Sequence, residues 1–453
     1  MQLTFLGATE IVTGSKYLLS FDECHSILVD CGLFQGDKVL RARNWDPLPF
    51  NPKTLQAVLL THAHIDHTGY LPLLVKNGFN GPIYCSQGTK DLCEIVLLDS
   101  AHLQEEEAKH VNKFGYSKHK PALPLYTVED AESALRLFKP IAYEAEVQLN
   151  KASYFQFIRS GHIIGSSFVK INHQGTSILF TGDMGRMHDP VMRDPTWIQQ
   201  ADYLVIESTY GDRLHEKEPP KNFLKDRINK TIQRGGSVII PAFAVGRAQS
   251  ILHYLSELKK ENAIPDVPIF LDSPMAVNAT GVLCRHTEDH RLTESECKAL
   301  CEVATYINSS EESIDLDLNK TPKIIISASG MATGGRVLHH LKTYAPDARN
   351  TILFAGFQVA GTRGAHIVNG EKKIKIHGEM IPVRAQVEII HNASAHADFE
   401  EMLDWLSHFQ SAPRKVFITH GEPESAAALK NKIEEKFGWH CAVPHYKQLE
   451  PLA

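Results

Sequence analysis

Hydrophobic and polar positions alternate over short runs in the first 208 residues, which is typical of β-strands. Glycine, aspartate and asparagine separate these runs and indicate turns. Apolar residues at helical spacing predict helices at about 68–76, 87–110 and 128–138. The predicted strands are "LTFLG", "YLLSF", "SILVDCG", "AVLLTHAH", "YFQFIRSG", "SFVKI", "SILFTGD" and "YLVIEST". We therefore expect a strand-rich fold for this part of the chain.

The pattern changes at about residue 212 to a strand, a glycine-rich turn and a helix, repeated four times. The repeats are "GGSVIIPAFAVGRAQSILHYL", "VPIFLDSPMAVNATGVL", "PKIIISASGMATGGRVLHHL" and "NTILFAGFQVAGTRGAHIV". Alternation of strands and helices predicts a parallel sheet that is covered by helices. This region should therefore form an α/β domain of its own.

The strand-rich pattern returns after about residue 385. It begins with "AQVEIIHNASAHAD" and continues through a helix near 398–409 to the strand "KVFITHGEP". The simplest organisation is one domain that is split by an inserted domain. We place its first part at 1–208, the inserted domain at 209–385 and its last part at 386–453.

Composition narrows the class of protein. Of the 453 residues, 43% are hydrophobic and 22% are charged, which is typical of soluble globular proteins. No apolar run approaches the roughly 20 residues of a membrane span, and the N-terminus lacks the pattern of a secretory signal. We therefore expect a cytoplasmic or nuclear protein that does not enter a membrane. With a net charge of −6, any nucleic acid must bind in a local groove rather than by overall attraction.

The cysteines and the segment 286–290 are expected to have no catalytic or metal-binding role. The eight cysteines are scattered without a Cys-x-x-Cys pair and should be buried, reduced thiols. They lie at positions 24, 31, 85, 93, 284, 297, 301 and 441. The segment "HTEDH", at 286–290, has metal-binding residue types, but we expect it to be a solvated loop.

The stretch "THAHIDHTGYLPLL", at 61–74, places three histidines and an aspartate within six positions. It lies between a predicted strand and a predicted helix. Strand alternation places His62 and His64 on one side, and the turn allows Asp66 and His67 to reach a second point. Imidazole and carboxylate groups suit Zn²⁺. The pattern therefore predicts a site for two adjacent divalent ions.

The spacing His-x-His-x-Asp-His resembles that of the metallo-β-lactamase superfamily, and the resemblance extends along the whole chain. Asp30 in "SILVDCG" matches an early aspartate at a strand end. His162 in "RSGHIIGSS" matches a later single histidine, and Asp183 in "LFTGDMG" matches a bridging aspartate. The resemblance implies an α/β fold in which two sheets lie between layers of helices, an αββα sandwich.

Three later motifs are similar to those of the β-CASP branch of the superfamily. They contain Glu207 in "VIESTYG", His396 in "SAHAD" and His420 in "FITHGEP". In this branch a Rossmann-like α/β domain is inserted between the first and second of these motifs. The chain most resembles the ribonucleases related to the endonuclease subunit of the cleavage and polyadenylation machinery, including stand-alone bacterial and archaeal relatives.

The resemblance also implies roles for individual residues. It implies two zinc ions with Asp183 shared between them, which would activate a water molecule and neutralise charge on a phosphodiester. One ion would be held by His62, His64 and His162, and the other by Asp66, His67 and His420. His396 would protonate the leaving 3′ oxygen, with Glu207 orienting its imidazole. The expected catalytic residues are Asp66, His396, Glu207 and Asp30, of which Asp30 would orient ligands.

The inserted domain is expected to form the second wall of a groove for single-stranded RNA. Its turn "SASGMATGG" offers backbone N–H groups at a helix start, where phosphate binds readily, with Ser329 and Gly330 at its centre. Arg247, Arg363 and Ser394 are further candidate RNA contacts. The alternative is that these glycine-rich turns serve backbone geometry alone.

The leading functional hypothesis is a zinc-dependent ribonuclease, acting as an endonuclease, as a 5′ exonuclease, or as both. Two alternatives stay open at this point. A hydrolase of small esters or thioesters would need only the first 208 residues, and a scaffold subunit would need no catalysis. A homodimer is also left open.

Overall fold

The computed structural model describes residues 1–23, 25–115, 119–216, 218–356, 358–359 and 361–452. They form two compact units. The first unit contains residues 1–214 and 396–453, and the second contains residues 215–395. The split order of the first unit along the chain is that of a domain interrupted by an insertion.

The first unit contains two seven-stranded sheets. In spatial order, the strands of one sheet are Leu449–Pro451, Gln2–Phe5, Tyr17–Ser20, Ser26–Val29, Leu55–Leu59, Ile83–Cys85 and Phe138–Pro140. The strands of the other are Cys441–Ala442, Lys415–Ile418, Tyr203–Ile206, Thr176–Phe180, Ser167–His173, Ser153–Arg159 and Val147–Asn150. The predicted strands of this region are therefore present, with small differences at their ends.

The two sheets pack face to face through alternate side chains of their strands, as period-two patterning requires. Phe5 of the first sheet lies 5.2 Å, between ring centroids, from Phe417 of the second. Tyr17 and Phe180 are paired in the same way at 5.6 Å. Two fully buried aromatic residues, Phe155 and Phe157, extend this core along the second sheet.

Helices cover the outer faces of the two sheets. On the side of the first sheet they are Ile65–Thr68, Leu71–Lys76, Gln87–Phe114 and Val128–Leu135, whereas the short helix Lys38–Ala42 buries none of its residues. On the side of the second they are Phe399–Leu406 and Pro423–Phe437, which bury Trp405 and Leu429 against strands. Short 3₁₀ helices occur at Arg43–Trp45 and Pro52–Thr54. The expected αββα sandwich is confirmed.

The second unit is built on a six-stranded sheet in which every described strand pair is parallel. In spatial order its strands are Thr305–Tyr306, Ile269–Asp272, Ile324–Ser327, Val238–Pro241, Thr351–Phe354 and Gln386–Ile389. Its helices are Pro220–Gln233, Arg247–Lys260, Pro274–Arg285, Glu294–Glu302, Ser310–Leu318, Val337–Tyr344 and Arg363–Val368, with a 3₁₀ turn at His391–Ala393. A hairpin of Lys373–Ile376 and Glu379–Pro382 completes it. The predicted α/β insertion is confirmed.

The end of the insertion differs from the sequence-based boundary. The strand Gln386–Ile389 pairs in parallel with Thr351–Phe354, so it belongs to the second unit rather than to the last part of the first. The second unit accordingly extends to residue 395. The apolar pattern of a four-residue strand predicts that it is a strand but does not specify which sheet it joins.

The segment 286–290 is not the solvated loop that we expected. His286, Asp289 and His290 are buried, and of its charged residues Glu288 is exposed. The chain folds inward between the helices Pro274–Arg285 and Glu294–Glu302, where the Nε2 atom of His290 lies 3.8 Å from the Cys297 sulfur. The short polar motif gave no indication of this packing because both helices contribute to it.

The cysteines were expected to be buried, reduced thiols. Seven described cysteines are free thiols, of which five are buried and two, Cys284 and Cys301, are partly exposed. Cys24 lies outside the described residues.

Among the described residues no helix is both long and apolar enough to cross a membrane. The cytoplasmic location stays a prediction.

Candidate metal centre

The histidine-rich segment follows the strand Leu55–Leu59 and turns directly into a short helix, Ile65–Thr68. The backbone of this helix is fixed by neighbouring loops. The Ser15 N–H donates to the Asp66 carbonyl at 2.8 Å, and the Cys31 N–H donates to the His67 carbonyl at 2.7 Å. A Cβ atom on Gly32 would overlap the Asp66 carbonyl, so only glycine permits this approach. The ligand-bearing turn is therefore held rigidly.

Four side chains form a first group, defined by the buried His62, His162 and Asp183 and the half-buried His64. The Nε2 atom of His62 lies 3.0 Å from Nδ1 of His64, and Nε2 of His162 lies 3.3 Å from the same atom. The Oδ2 atom of Asp183 lies 3.4 Å from the His62 nitrogen and 3.5 Å from the His162 nitrogen. Four potential ligand atoms thus surround one point.

A second group consists of Asp66, His67 and His420. The Nε2 atoms of His67 and His420 are 3.2 Å apart, and the Oδ2 atom of Asp66 lies 3.5 Å from Nε2 of His420. The Oδ1 atom of Asp183 lies 3.3 Å from Nε2 of His67. The two carboxylate oxygens of Asp183 therefore face different groups.

These spacings fit divalent metal ions. Tetrahedral ligands with bonds of roughly 2.0–2.1 Å lie about 3.3 Å from one another, which is close to the separations in both groups. The buried Oδ1 atom of Asp183 has no hydrogen-bond partner among the described residues, a costly state for a carboxylate oxygen unless a cation approaches it. The donor set of imidazoles and carboxylates is one that binds divalent metals.

Electrostatics favour the metal-binding protonation states in the first group. Burial lowers the pKa of His62 to about 3 and shifts the pKa of His64 and His162 in the same direction, so these imidazoles are neutral. Burial alone would raise the pKa of Asp183, but His420 and the other histidines hold it well below its usual range. Neutral imidazoles and an ionised carboxylate are the forms that bind metal.

Asp30 lies behind the second group rather than within it. Its Oδ2 atom accepts hydrogen bonds from Nδ1 of His67 and from the Thr61 hydroxyl, each at 2.8 Å. Its Oδ1 atom accepts from the Thr61 backbone N–H at 2.8 Å. Because Asp30 engages Nδ1 of His67, Nε2 is the nitrogen that faces the group.

His396 and Glu207 form a pair beside the first group. The Nδ1 atom of His396 lies 3.1 and 3.0 Å from the two carboxylate oxygens of Glu207. Glu207 is buried and also accepts a hydrogen bond from the Met184 backbone N–H at 2.6 Å. The His396 side chain is 19% exposed, and its Nδ1 lies 3.9 Å from Oδ2 of Asp183. Glu207 thus engages Nδ1 of His396.

Sequence reasoning missed three residues at this site. The Thr61 hydroxyl lies 3.1 Å from Nδ1 of His62 and links it to Asp30. The Thr209 hydroxyl lies 3.2 Å from Nδ1 of His420, and Tyr210 stacks on His396 at 6.3 Å. Thr61 directly precedes the histidine-rich motif, and Thr209 and Tyr210 are part of the motif "VIESTYG". Their position in the sequence could therefore have indicated a place at the site.

The five predicted RNA contacts all lie in the second unit. Ser329 and Gly330 are on the turn after the strand Ile324–Ser327, and the helix Val337–Tyr344 follows this turn with Arg336 as its N-cap. The Ser329 hydroxyl accepts the Thr333 N–H at 3.0 Å, which fixes the shape of the turn. Phosphate binding at Ser329 and Gly330 stays a prediction.

The other three predicted RNA contacts, Arg363, Ser394 and Arg247, have different surroundings in the second unit. The Arg363 guanidinium donates to the Ala332 carbonyl and, at 2.9 Å, to the Lys375 carbonyl. It therefore joins the turn to the hairpin within the unit. Ser394 is buried. Arg247 opens the helix after the strand Val238–Pro241 and lies beside Gly356.

Comparison with protein families gives three matches along the chain. A metallo-beta-lactamase superfamily domain matches residues 18–209. A Beta-Casp domain matches residues 248–367. A Zn-dependent metallo-hydrolase RNA specificity domain matches residues 380–444. Six of the seven residues of the two groups lie within the metallo-beta-lactamase match. The seventh, His420, lies within the match to the RNA specificity domain.

Individual proteins match over nearly the whole chain. Ribonuclease TTHA0252 of Thermus thermophilus is 38% identical over 437 residues, which are 95% of each chain. The transcription termination factor FttA of Methanosarcina mazei is 32% identical and matches 96% of this chain and 69% of its own length. A crystal structure of an Enterococcus faecalis protein of unknown function covers 100% of the chain with a TM-score of 0.54 and 13% identity, a likeness of fold alone.

Proposed function

This chain belongs to the Beta-Casp branch of the metallo-β-lactamase superfamily, and from that premise we propose that it is a metal-dependent hydrolase that cleaves phosphodiester bonds in RNA. The match to an RNA specificity domain over residues 380–444 supports RNA as the substrate. The similarity to a protein named as a ribonuclease, over 95% of both chains, supports cleavage as the activity.

We propose one zinc ion for each of the two groups, with Asp183 as the ligand common to both. The single observation that carries this proposal is that the Asp183 oxygens face different groups, at 3.3 Å from His67 and 3.4 Å from His62. When bound, two such ions lower the pKa of water and neutralise charge on a phosphodiester. The neutral imidazoles of the first group can bind without losing protons.

His396 is the proposed donor of the proton that the leaving 3′ oxygen requires. Its Nδ1–H is held by Glu207, so Nε2 carries the transferable proton and the carboxylate stabilises the charged imidazolium. A hydrolase of thioesters would release a thiolate, which is a good leaving group and would not need this pair. The pair therefore favours RNA over thioesters.

Metal removal combined with two forms of one RNA tests the proposal. The protein is stripped with a chelator, assayed on linear and circular single-stranded RNA, and reloaded with zinc. We expect cleavage to disappear on stripping and to return with zinc. Opening of the circle identifies an endonuclease, whereas degradation of the linear form alone identifies an end-dependent enzyme. Full cleavage by protein shown to be free of metal would refute the metal-dependent mechanism.

A further inference from the structure

Three loops meet at the carboxyl edge of the parallel sheet in the second unit. They follow the strands Val238–Pro241, Ile324–Ser327 and Thr351–Phe354, of which the first lies between the other two. The chain places Ile269–Asp272 and Ile324–Ser327 on one side of Val238–Pro241 and Thr351–Phe354 on the other. Such a change of side is a topological switch point, where open α/β sheets bind their ligands.

Close contacts hold the three loops together. A Cβ atom on Gly330 would lie 2.7 Å from the Phe243 backbone nitrogen, so glycine is required at this approach. The Gln358 side-chain amide donates to the Gly330 carbonyl at 3.2 Å. The Arg247 guanidinium lies 3.8 Å from the position that a Cβ on Gly356 would take. The edge is therefore a compact surface with backbone groups, an arginine and an aromatic ring close together.

Phe243 is the unusual residue on this surface. Its side chain is 37% exposed, whereas its neighbours Ala242, Ala244 and Val245 are buried. A Cβ on Gly330 would also approach Cδ2 of the Phe243 ring to 2.9 Å, so the glycine leaves space beside the ring. The loop thus presents one large apolar ring to solvent at a ligand-binding position of the fold, although its backbone is fixed by buried neighbours.

We propose that the Phe243 ring stacks on one base of a single-stranded RNA bound to the second unit, an inference that rests on the proposed ribonuclease function. Aromatic rings bind unpaired bases of any sequence because every base has a flat π face. The bases of a double helix are stacked on one another and are not available to such a ring. The guanidinium of Arg247 and the backbone groups of the neighbouring turn supply polar contacts for the adjoining sugar and phosphate.

The proposal is tested with RNA molecules that each lack the base of one nucleotide. KM and kcat for cleavage are measured for the wild type, Phe243→Leu and Phe243→Trp on the intact RNA and on each abasic RNA. Leucine keeps an apolar side chain without a π face, and tryptophan restores one. Ile314→Ala serves as the control because Ile314 is an exposed apolar residue elsewhere in the same unit, 59% exposed.

We expect Phe243→Leu to raise KM for intact RNA by about 5- to 150-fold, the usual value of one base stack. Phe243→Trp and Ile314→Ala should keep a KM near that of the wild type. One abasic position should raise the KM of the wild type, and Phe243→Leu should add no further increase on that RNA. An equal increase from Phe243→Leu on every RNA would overturn the stacking role. Absence of RNA cleavage by the wild type would instead reject the ribonuclease function itself.

Discussion

His396 and His420 show how two histidines only 24 positions apart can differ in chemistry. Both side chains are close to Asp183, but the Nδ1 of His396 is engaged by Glu207, whereas Nε2 of His420 faces His67 and Asp66. These surroundings support a proton-transfer role for His396 and a ligand role for His420. Both roles are proposals that a substitution experiment can separate.

His396→Ala should retain both metal ions and lose roughly 10²- to 10⁴-fold in RNA cleavage, the usual contribution of a general acid. His420→Ala should lose metal as well. A nitrophenyl phosphodiester hardly needs protonation of its leaving group, so His396→Ala should retain much more activity on it than on RNA. Glu207→Gln should show a milder form of the His396 defect. Metal content and rates on both substrates are the measurements, and equal losses on the two substrates would exclude His396 as the acid.

At the residue scale, the sequence predicted the members of both groups but not the hydrogen bonds behind them. His62, His64, Asp66 and His67 are separated by so few positions that their proximity follows from chain geometry alone. The links from Thr61 to Asp30 and from Thr209 to His420 join segments that are far apart in the chain. A threonine is common in strands and on surfaces for other reasons, so its presence alone does not indicate such a link.

At the scale of elements, the helix Val337–Tyr344 is anchored by a buried ionic network. Its His340 contacts Asp317 through Nδ1 at 2.7 Å and Asp272 through Nε2 at 2.8 Å. Asp272 also accepts a hydrogen bond from Arg336 at 2.7 Å. Burial opposes the charged imidazole, but the hydrogen bonds to Asp272 and Asp317 raise the pKa of His340 above its usual value.

This network predicts a pH dependence of stability for the second unit. A histidine with a raised folded-state pKa stabilises the fold fully below about pH 6.5, its unfolded pKa. The stabilisation is lost as the pH rises through the higher folded-state pKa. His340→Gln should reduce the free energy of unfolding by roughly 1.5–3 kcal/mol at low pH, because it removes charged hydrogen bonds to Asp272 and Asp317 while Asp272 keeps its bond to Arg336. Thermal unfolding across the pH range measures the effect, and an unchanged pH dependence in His340→Gln would show that His340 does not titrate as described.

The elements also show where local patterns stop being informative. The four strand–turn–helix repeats were predicted because alternation and helical spacing are properties of the segments themselves. The strand Gln386–Ile389 was correctly expected as a strand but was placed in the last part of the split domain, since its four residues do not show which sheet they join. The turn 327–335 was correctly expected to precede a helix, but the hydrogen bond that the Ser329 hydroxyl accepts from the Thr333 N–H was not predicted. Glycine-rich segments allow several turns, so their composition does not select one.

At the scale of the whole molecule, distant segments complete the first unit. The strand Gln2–Phe5 pairs with Leu449–Pro451, so residues from the two ends of the described chain lie in one sheet. Nε2 of His67 lies 3.2 Å from Nε2 of His420, although 353 positions separate them. The spacing of residues along the chain does not predict such a contact. The resemblance to a known family predicted it, because the motifs that contain His67 and His420 occur in the order typical of that family.

The whole chain also has a net charge of −6, which makes general attraction to RNA unfavourable. Binding must therefore depend on a small number of local contacts. Phe243 and Arg247 at the sheet edge are suited to this because stacking does not depend on net charge. The candidate metal centre would favour RNA binding by a different effect, because bound cations would oppose the negative charge of the protein locally.

Metal stoichiometry is the most direct test of the shared carboxylate on which both groups depend. Elemental analysis of the wild type should give about two zinc ions per chain, as a two-metal site requires. Asp183→Asn replaces one carboxylate oxygen by an NH₂ group, which cannot bind a metal ion. The variant should contain fewer than two zinc ions per chain and should show little RNA cleavage. Asp266→Asn, at a fully exposed carboxylate paired with Lys259, is the matched control and should behave as the wild type. Two zinc ions and undiminished cleavage in Asp183→Asn would contradict a centre built around Asp183.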